Sequence, residues 1–270
     1  MWILDNRTPF TAECGFDRDA GHSYWLVWIK AGFDLRAPGQ KCRYRSAQPE
    51  ILKAPHHDPE TGQLIAETET ILCKPMVDLI ATGEVPETVE RVTLMMADWT
   101  RNIERDANED DPDTDAPPFL APLHAIPGTH PARSAWAGTY DAAWRAQRSP
   151  LPPIDFEATY WQSAASENRL SLDIAGPLLV HHDDEVAVET LLPLPVLTAV
   201  TRMDRAWHNM PVHLQTIFLD FRAGQIDLTF CAALPLSAPD RDVAVEKTVL
   251  RMEPAHTFTM RSADLKSLYR

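Results

Sequence analysis

The sequence predicts a mainly β fold: sandwich-like antiparallel sheets, a Pro-rich irregular middle segment and one or two short helices. Three observations predict it. Proline is abundant at 23 residues and glycine scarce at 10; proline is hostile to helix interiors and central strands, so it confines the ordered segments to short runs. The strongest apolar runs are rich in aromatic and β-branched residues, which suit a pleated surface. Finally, Thr216–Phe221 and Ile226–Phe230 flank Arg222-Ala223-Gly224-Gln225, the pattern of a β-hairpin with a Gly-containing turn.

Tyr24–Leu35 is the clearest strand; it is apolar on both faces, as a central strand is, and stops at Pro38-Gly39. Leu64–Leu72 alternates more weakly and ends before Pro75, and Met76–Ala81 continues as a short apolar run. Val89–Ile103 is ambiguous. Val89, Val92, Met96, Trp99 and Ile103 fall at helical spacing, whereas Val92–Met96 alone suits a buried strand; the spacing by itself favours helix. Asn108–Asp115 is an acidic, proline-broken run, expected to be a solvated loop, and Ala116–Pro131 is expected to be extended and irregular.

Tyr140–Arg148 is a short helix candidate, with Thr139 as cap, Asp141 in the first turn, Arg145 and Arg148 near the end, and Ser149-Pro150 as the stop. Pro177–Val180 and Val186–Leu192 then flank an acidic turn, Val243–Met252 is a further strand candidate, and Ser262–Arg270 a short helix candidate. The organisation expected is a single β-rich domain over 1–236, with a long loop at about 106–135 pinned across it, followed by a C-terminal strand and short helical tail over 237–270.

The net charge of −14 opposes nucleic acid or an anionic membrane as partner, because phosphate binding needs a basic footprint. It suits a partner with a basic face, or serves solubility alone. Cys14, Cys42, Cys73 and Cys231 form no C-x-x-C pair, and a chain of 270 residues does not need disulfide staples, so free thiols in a reducing compartment are expected. The opening Met1-Trp2-Ile3-Leu4-Asp5 lacks a basic region and a long apolar run, and no stretch is long and apolar enough to span a bilayer, so a cytoplasmic location is expected.

Two clusters contain metal-ligand residue types: His56-His57-Asp58-Pro59-Glu60 and His181-His182-Asp183-Asp184-Glu185. Neighbouring residues on a strand point to opposite faces, so adjacent histidines do not converge easily on one ion. Solvated turns are the favoured reading, and a metal site built on His181, His182 and Asp184 is the alternative. No G-x-S-x-G elbow and no Gly-rich phosphate loop is present, and the carboxylates at Asp110 and Asp111 lie where no shielded pocket is expected to tune them. No catalytic residue and no cofactor are assigned. Of the eight tryptophans, Trp25 and Trp28 belong to the central strand and are expected in the core. Trp136, Tyr140, Trp144, Tyr160 and Trp161 gather around the Pro-rich middle, either anchoring irregular chain or contacting a partner.

Ala137-Gly138-Thr139-Tyr140-Asp141-Ala142-Ala143-Trp144, then Ser149–Phe156, then Tyr160-Trp161-Gln162-Ser163-Ala164 together resemble a signature of the family known as domain of unknown function 2169. Asn6-Arg7-Thr8-Pro9-Phe10 is similar to its opening N-T-P-F, Val27–Leu35 to its V-V-V-K-A-T-F-D-I strand, Lys74–Gly83 to its K-P-x-T-D-V-x-V-x-G, and the hairpin ending at Leu236 to its closing strand. The family's F-G-G segment is missing, and Leu172–Pro177 replaces its R-G-G-E segment. The resemblance implies a bacterial type VI secretion adaptor, or effector chaperone, that helps load a secreted effector onto the spike, often through a PAAR-type tip. It brings no catalytic residue and no cofactor. It also implies paired strands over Val89–Ile103, against the helical spacing. A metal-dependent hydrolase and a structural component of the spike are the alternatives to the adaptor.

Overall fold

The computed structural model describes residues 2–19, 22–54, 56–57, 64–66, 68–82, 89, 91–104, 142–147, 164, 168–236 and 244–253. In chain order the first strands are β1 (Ile3–Arg7), β2 (Thr11–Asp19), β3 (His22–Asp34), β4 (Arg43–Tyr44), β5 (His56–His57) and β6 (Leu64–Ala66). They are followed by β7 (Val77–Thr82), β8 (Arg91–Met96), β9 (Trp99–Glu104), the helix α1 (Ala142–Gln147) and β10 (Arg169–Leu170). The chain then runs through β11 (Pro177–His182), β12 (Glu185–Leu191), β13 (Leu197–Met203), β14 (Ala206–Met210), β15 (Val212–Asp220), β16 (Gln225–Pro235) and β17 (Val245–Met252).

The central sheet has the order β10-β7-β15-β16-β3-β2, with β4 beside the end of β3. Two four-stranded sheets, β1-β17-β13-β14 and β12-β11-β8-β9, pack on it, and β5 and β6 form a separate small pair. The protein is therefore mainly β and sandwich-like, as the sequence predicts. Most pairs are antiparallel, but β1–β17 and β7–β15 run parallel.

The alternation of β3 explains the layering. Trp25, Val27, Ile29, Ala31 and Phe33 face the large core, which they share with Leu79, Ile217, Leu228, Met96, Val180, Met203 and Leu250. Leu26 and Trp28 point the other way, into a smaller cluster with Ile51, Leu72 and Cys231. The segments around Ile51 and Thr68–Cys73 cover that second face, so β3 is buried on both sides and reads as a continuous apolar run. Trp25 and Trp28 are core residues, 0% and 7% exposed.

The helical spacing over Val89–Ile103 is overturned. The segment is the hairpin β8–β9, turning at Ala97-Asp98, with Ala97 at φ 54. Val92, Leu94 and Met96 are all fully buried on one face, so a period of two wins over the longer-range coincidence of Val89, Trp99 and Ile103. Within the expected strand Leu64–Leu72, β6 keeps only Leu64–Ala66, and Thr68–Cys73 forms no strand because it serves as the cover of the second face. The long loop at 106–135, the cap Thr139 and the tail Ser262–Arg270 lie outside the described residues, whereas the short helix is present as Ala142–Gln147.

Candidate partner-binding surface

Charged side chains inside the fold are matched to one another. Lys74 Nζ donates to Asp78 Oδ2 at 2.6 Å and to Thr216 Oγ1 at 3.1 Å, and the main-chain N–H of Ala164 donates to Asp78 Oδ1 at 3.1 Å. On the second face, Lys30 pairs with Glu69 at 2.8 Å, and Glu69 also accepts from Leu52 N and Thr229 Oγ1. Arg45 pairs with Asp227 and donates to Gln225. Burial pushes the Asp227 carboxyl above the usual carboxylate range, with Arg45 partly offsetting it. Arg45 and Pro49 both lie against Gly32, where an added Cβ would crowd the guanidinium and meet Pro49 Cδ at 2.6 Å. A shallow cleft of about 280 Å³ lined by Asp34, Arg45, Ser46, Ala47 and Gln225 opens beside this pair. These groups fasten covering segments to the central sheet, with Lys30, Glu69, Arg45 and Asp227 close enough to act on one another electrostatically.

The sheet margin offers a different chemistry. Asn6–Phe10 forms the corner that carries the chain from β1 in one sheet to β2 in the other. Asn6 Nδ2 donates to Phe10 O at 2.7 Å, and Thr8 N donates to Asn6 Oδ1 at 3.0 Å. Phe10 is buried against Phe33 and Tyr44. This corner fixes β2 at the end of the central sheet. β2 pairs with β3 in continuous register from Thr11↔Lys30 to Asp19↔His22, without a bulge. No strand pairs with its other side among the described residues. Ala12, Cys14 and Phe16 face the core, and Glu13 pairs with Lys53 at 2.9 Å on the opposite face.

An aromatic group marks one end of this edge. Trp2, Phe16 and Trp25 stand edge to face, with ring centroids 5.7, 5.2 and 4.8 Å apart for Trp2–Phe16, Trp2–Trp25 and Phe16–Trp25. Trp25 is enclosed, whereas Trp2 is 45% exposed. A long, flat edge strand presents a row of backbone donors and acceptors to an incoming extended chain, and proteins usually blunt such edges with bulges, prolines or shortness. β2 is nine residues long and has none of these. The five-residue edge β14 carries a second exposed tryptophan, Trp207, opposite Arg202.

The residues singled out from the sequence fall elsewhere. Trp136, Tyr140, Tyr160 and Trp161 lie outside the described residues; Trp144 lies in α1, and its side chain is likewise outside them. His181, His182 and Asp184 occupy the β11–β12 hairpin, His181 opposite Thr93 and His182 opposite Val92. Asp183 binds the β8 main chain in both directions, accepting from Arg91 N at 2.8 Å and donating its N–H to Arg91 O at 2.7 Å. Asp184 pairs with the Arg91 side chain at 3.4 Å. Among the described residues no group of three His, Cys, Asp or Glu is placed to hold a metal ion. Sequence reading missed β2, because Gly15 interrupts the alternation of Ala12, Cys14 and Phe16 with Thr11, Glu13 and Asp17; that alternation is the signal that finds it.

Comparison with known proteins adds one finding. Residues 98–230 match domain of unknown function 2169, described as an uncharacterized protein conserved in bacteria. That match covers the Ala137–Ala164 motifs and the β15–β16 hairpin as far as Phe230; Ala232–Leu236, which resembles the family's closing strand, lies beyond it. The motifs at Asn6–Phe10, Val27–Leu35 and Lys74–Gly83 precede the residues matched to domain of unknown function 2169. No curated protein and no solved structure matches the chain. No helix among the described residues is long and apolar enough to cross a membrane.

Proposed function

We propose that this protein is a cytoplasmic adaptor that binds a type VI secretion effector, or a PAAR-type spike tip, and assists its loading for export. The observation that carries the reading is the bulge-free edge of β2, unpaired on its outer side among the described residues, beside the exposed Trp2. An extended partner segment would add to this edge through main-chain hydrogen bonds, with Trp2 and Phe16 receiving an apolar side chain at one end. The net charge of −14 favours a segment carrying basic residues. Such a contact is reversible, as handing over a cargo requires. The family resemblance supplies the secretion context.

The test is co-purification with a neighbouring effector or tip protein, followed by deletion of the gene. The expected result is a stable complex with the wild-type chain, weakened at least tenfold by Trp2→Ala with Thr11→Lys, and loss of effector delivery on deletion. Delivery that continues unchanged without the gene would sink the proposal.

A further inference from the structure

Cys73 and Cys231 meet on the second face of the central sheet. Cys73 stands where the covering segment Thr68–Cys73 runs into Lys74 and β7, and Cys231 lies on β16, packed among Leu26, Trp28, Ile51 and Leu72. Each thiol reaches the main chain of the other's segment. Cys73 Sγ donates to Cys231 O at 3.8 Å, and Cys231 Sγ donates to Ile71 O at 3.7 Å. Cys73 is partly buried, whereas Cys231 is buried. We propose that Cys73 and Cys231 are a dithiol–disulfide pair, which a low-molecular-weight disulfide oxidises to a cross-link tying the covering segment to β16.

The chemistry follows from the unequal exposure of the two sulfurs. The Cys73 thiolate attacks one sulfur of the small disulfide, the S–S bond breaks, and one small thiolate leaves. The mixed disulfide on Cys73 is then attacked by Cys231, which has given up its proton, and the second small thiolate leaves. Two protein thiols are oxidised, the small disulfide is reduced to two thiols, and the two cysteine protons end on them. The environments suit this order. The Cys231 thiol beside it holds Cys73 below the usual thiol range, while burial pushes Cys14 up to about 11 and Cys42 upward. A less buried, more acidic thiol next to a buried resolving thiol is the arrangement that oxidises selectively. The bridge closes a loop between residues 158 positions apart, so it would restrict the unfolded chain strongly.

The full chain, purified reduced, is incubated with oxidised glutathione, alkylated, digested without reductant and analysed by mass spectrometry. The expected result is one cross-linked peptide pair containing Cys73 and Cys231, an intact mass lower by two hydrogens, and alkylated Cys14 and Cys42. The thermal midpoint rises and returns with dithiothreitol; Cys73→Ser, at a partly buried position, abolishes both the cross-link and the rise. A glutathione adduct left on Cys73 without a cross-link, a bridge involving Cys14 or Cys42, or four alkylated thiols after oxidation would each overturn the proposal. A midpoint rise that persists in Cys73→Ser would overturn it as well.

Discussion

Lys74 and Asp78 form an ion pair at 2.6 Å in which the side chains are 6% and 0% exposed. The pair stands at the entry to β7, and its remaining capacity is used by Thr216 on β15 and by the main chain of Ala164. Breaking such a pair leaves a charge buried without its partner. Asp78→Asn keeps an acceptor for Ala164 N but strands the Lys74 ammonium, so a loss of about 3–5 kcal/mol is expected. Replacing both residues, as Lys74→Met with Asp78→Leu, removes the stranded charge and recovers a large part of the loss. Urea unfolding of Lys74→Met, Asp78→Leu and the double variant closes the cycle and measures the coupling directly. Additive losses in the cycle would mean that the two charges do not sustain each other.

Trp25 makes the corresponding link between sheets. Its Nε1 donates to Thr248 Oγ1 on β17 at 3.0 Å, and Thr248 shares a further hydrogen bond with Thr201 on β13 at 2.8 Å. All three residues are fully buried. Thr248→Val preserves shape and removes the acceptor of the indole N–H, while the Thr201 hydroxyl keeps Met210 Sδ at 3.1 Å; the stranded indole N–H costs about 1–3 kcal/mol. Thr248→Ser retains the hydroxyl and loses only a methyl group. Chemical denaturation followed by circular dichroism should therefore rank Ser well above Val at this position.

These two contacts mark how far the sequence can be read. The central strand β3 was legible because burial on both faces leaves an uninterrupted aromatic and β-branched run. The β15–β16 hairpin was legible from Gly224, which adopts φ 63 in its turn. Less visible was anything fixed by partners distant in sequence: Trp25 with Thr248 lies 223 positions apart, and the parallel pairing of β1 with β17 joins the two ends of the described chain. The candidate binding edge was invisible for a related reason. A strand becomes an edge through what fails to pair with it, and no local pattern records that. The aromatic residues favoured from the sequence, around Tyr140 and Trp144, follow the family signature instead, which marks relatedness and leaves the contacting face open.

The hairpin β13–β14 was hidden by its turn residues. Asp204 and Arg205 have φ 48 and φ 68, the paired positive values of a type I′ turn that normally selects Asn-Gly. Contacts to the start of β17 compensate. Asp204 Oδ1 accepts from Ala244 N at 3.2 Å, and Arg205 N donates to Glu246 Oε1 at 3.1 Å. Arg205→Gly removes the Cβ penalty while keeping the main-chain bond, and it should raise stability by about 0.5–1 kcal/mol after the greater freedom of the unfolded chain is counted. Asp204→Gly relieves the same strain but loses the bond to Ala244, so it should gain less. Thermal unfolding of the two variants gives the order.

Acid sensitivity should trace to His182. Its Nε2 is buried without a hydrogen-bond partner among the described residues, and burial holds the imidazole below its ordinary value of 6.5, with Asp183 acting weakly in the other direction. The unfolded chain takes up a proton near 6.5, whereas the folded chain does so only at lower pH. The contribution to stability is therefore complete above 6.5 and is lost as pH falls below it towards the lowered folded value. Asp5, held low by hydrogen bonds from Arg7 and Lys247, acts in a separate window below the ordinary carboxylate value of 3.8. The prediction is a thermal midpoint that declines between about pH 7 and pH 5, in the range where an ordinary imidazole titrates. His182→Phe fills the same space beside Val92 without a titratable nitrogen and should flatten that decline. An unchanged slope in His182→Phe would assign the acid sensitivity to other groups.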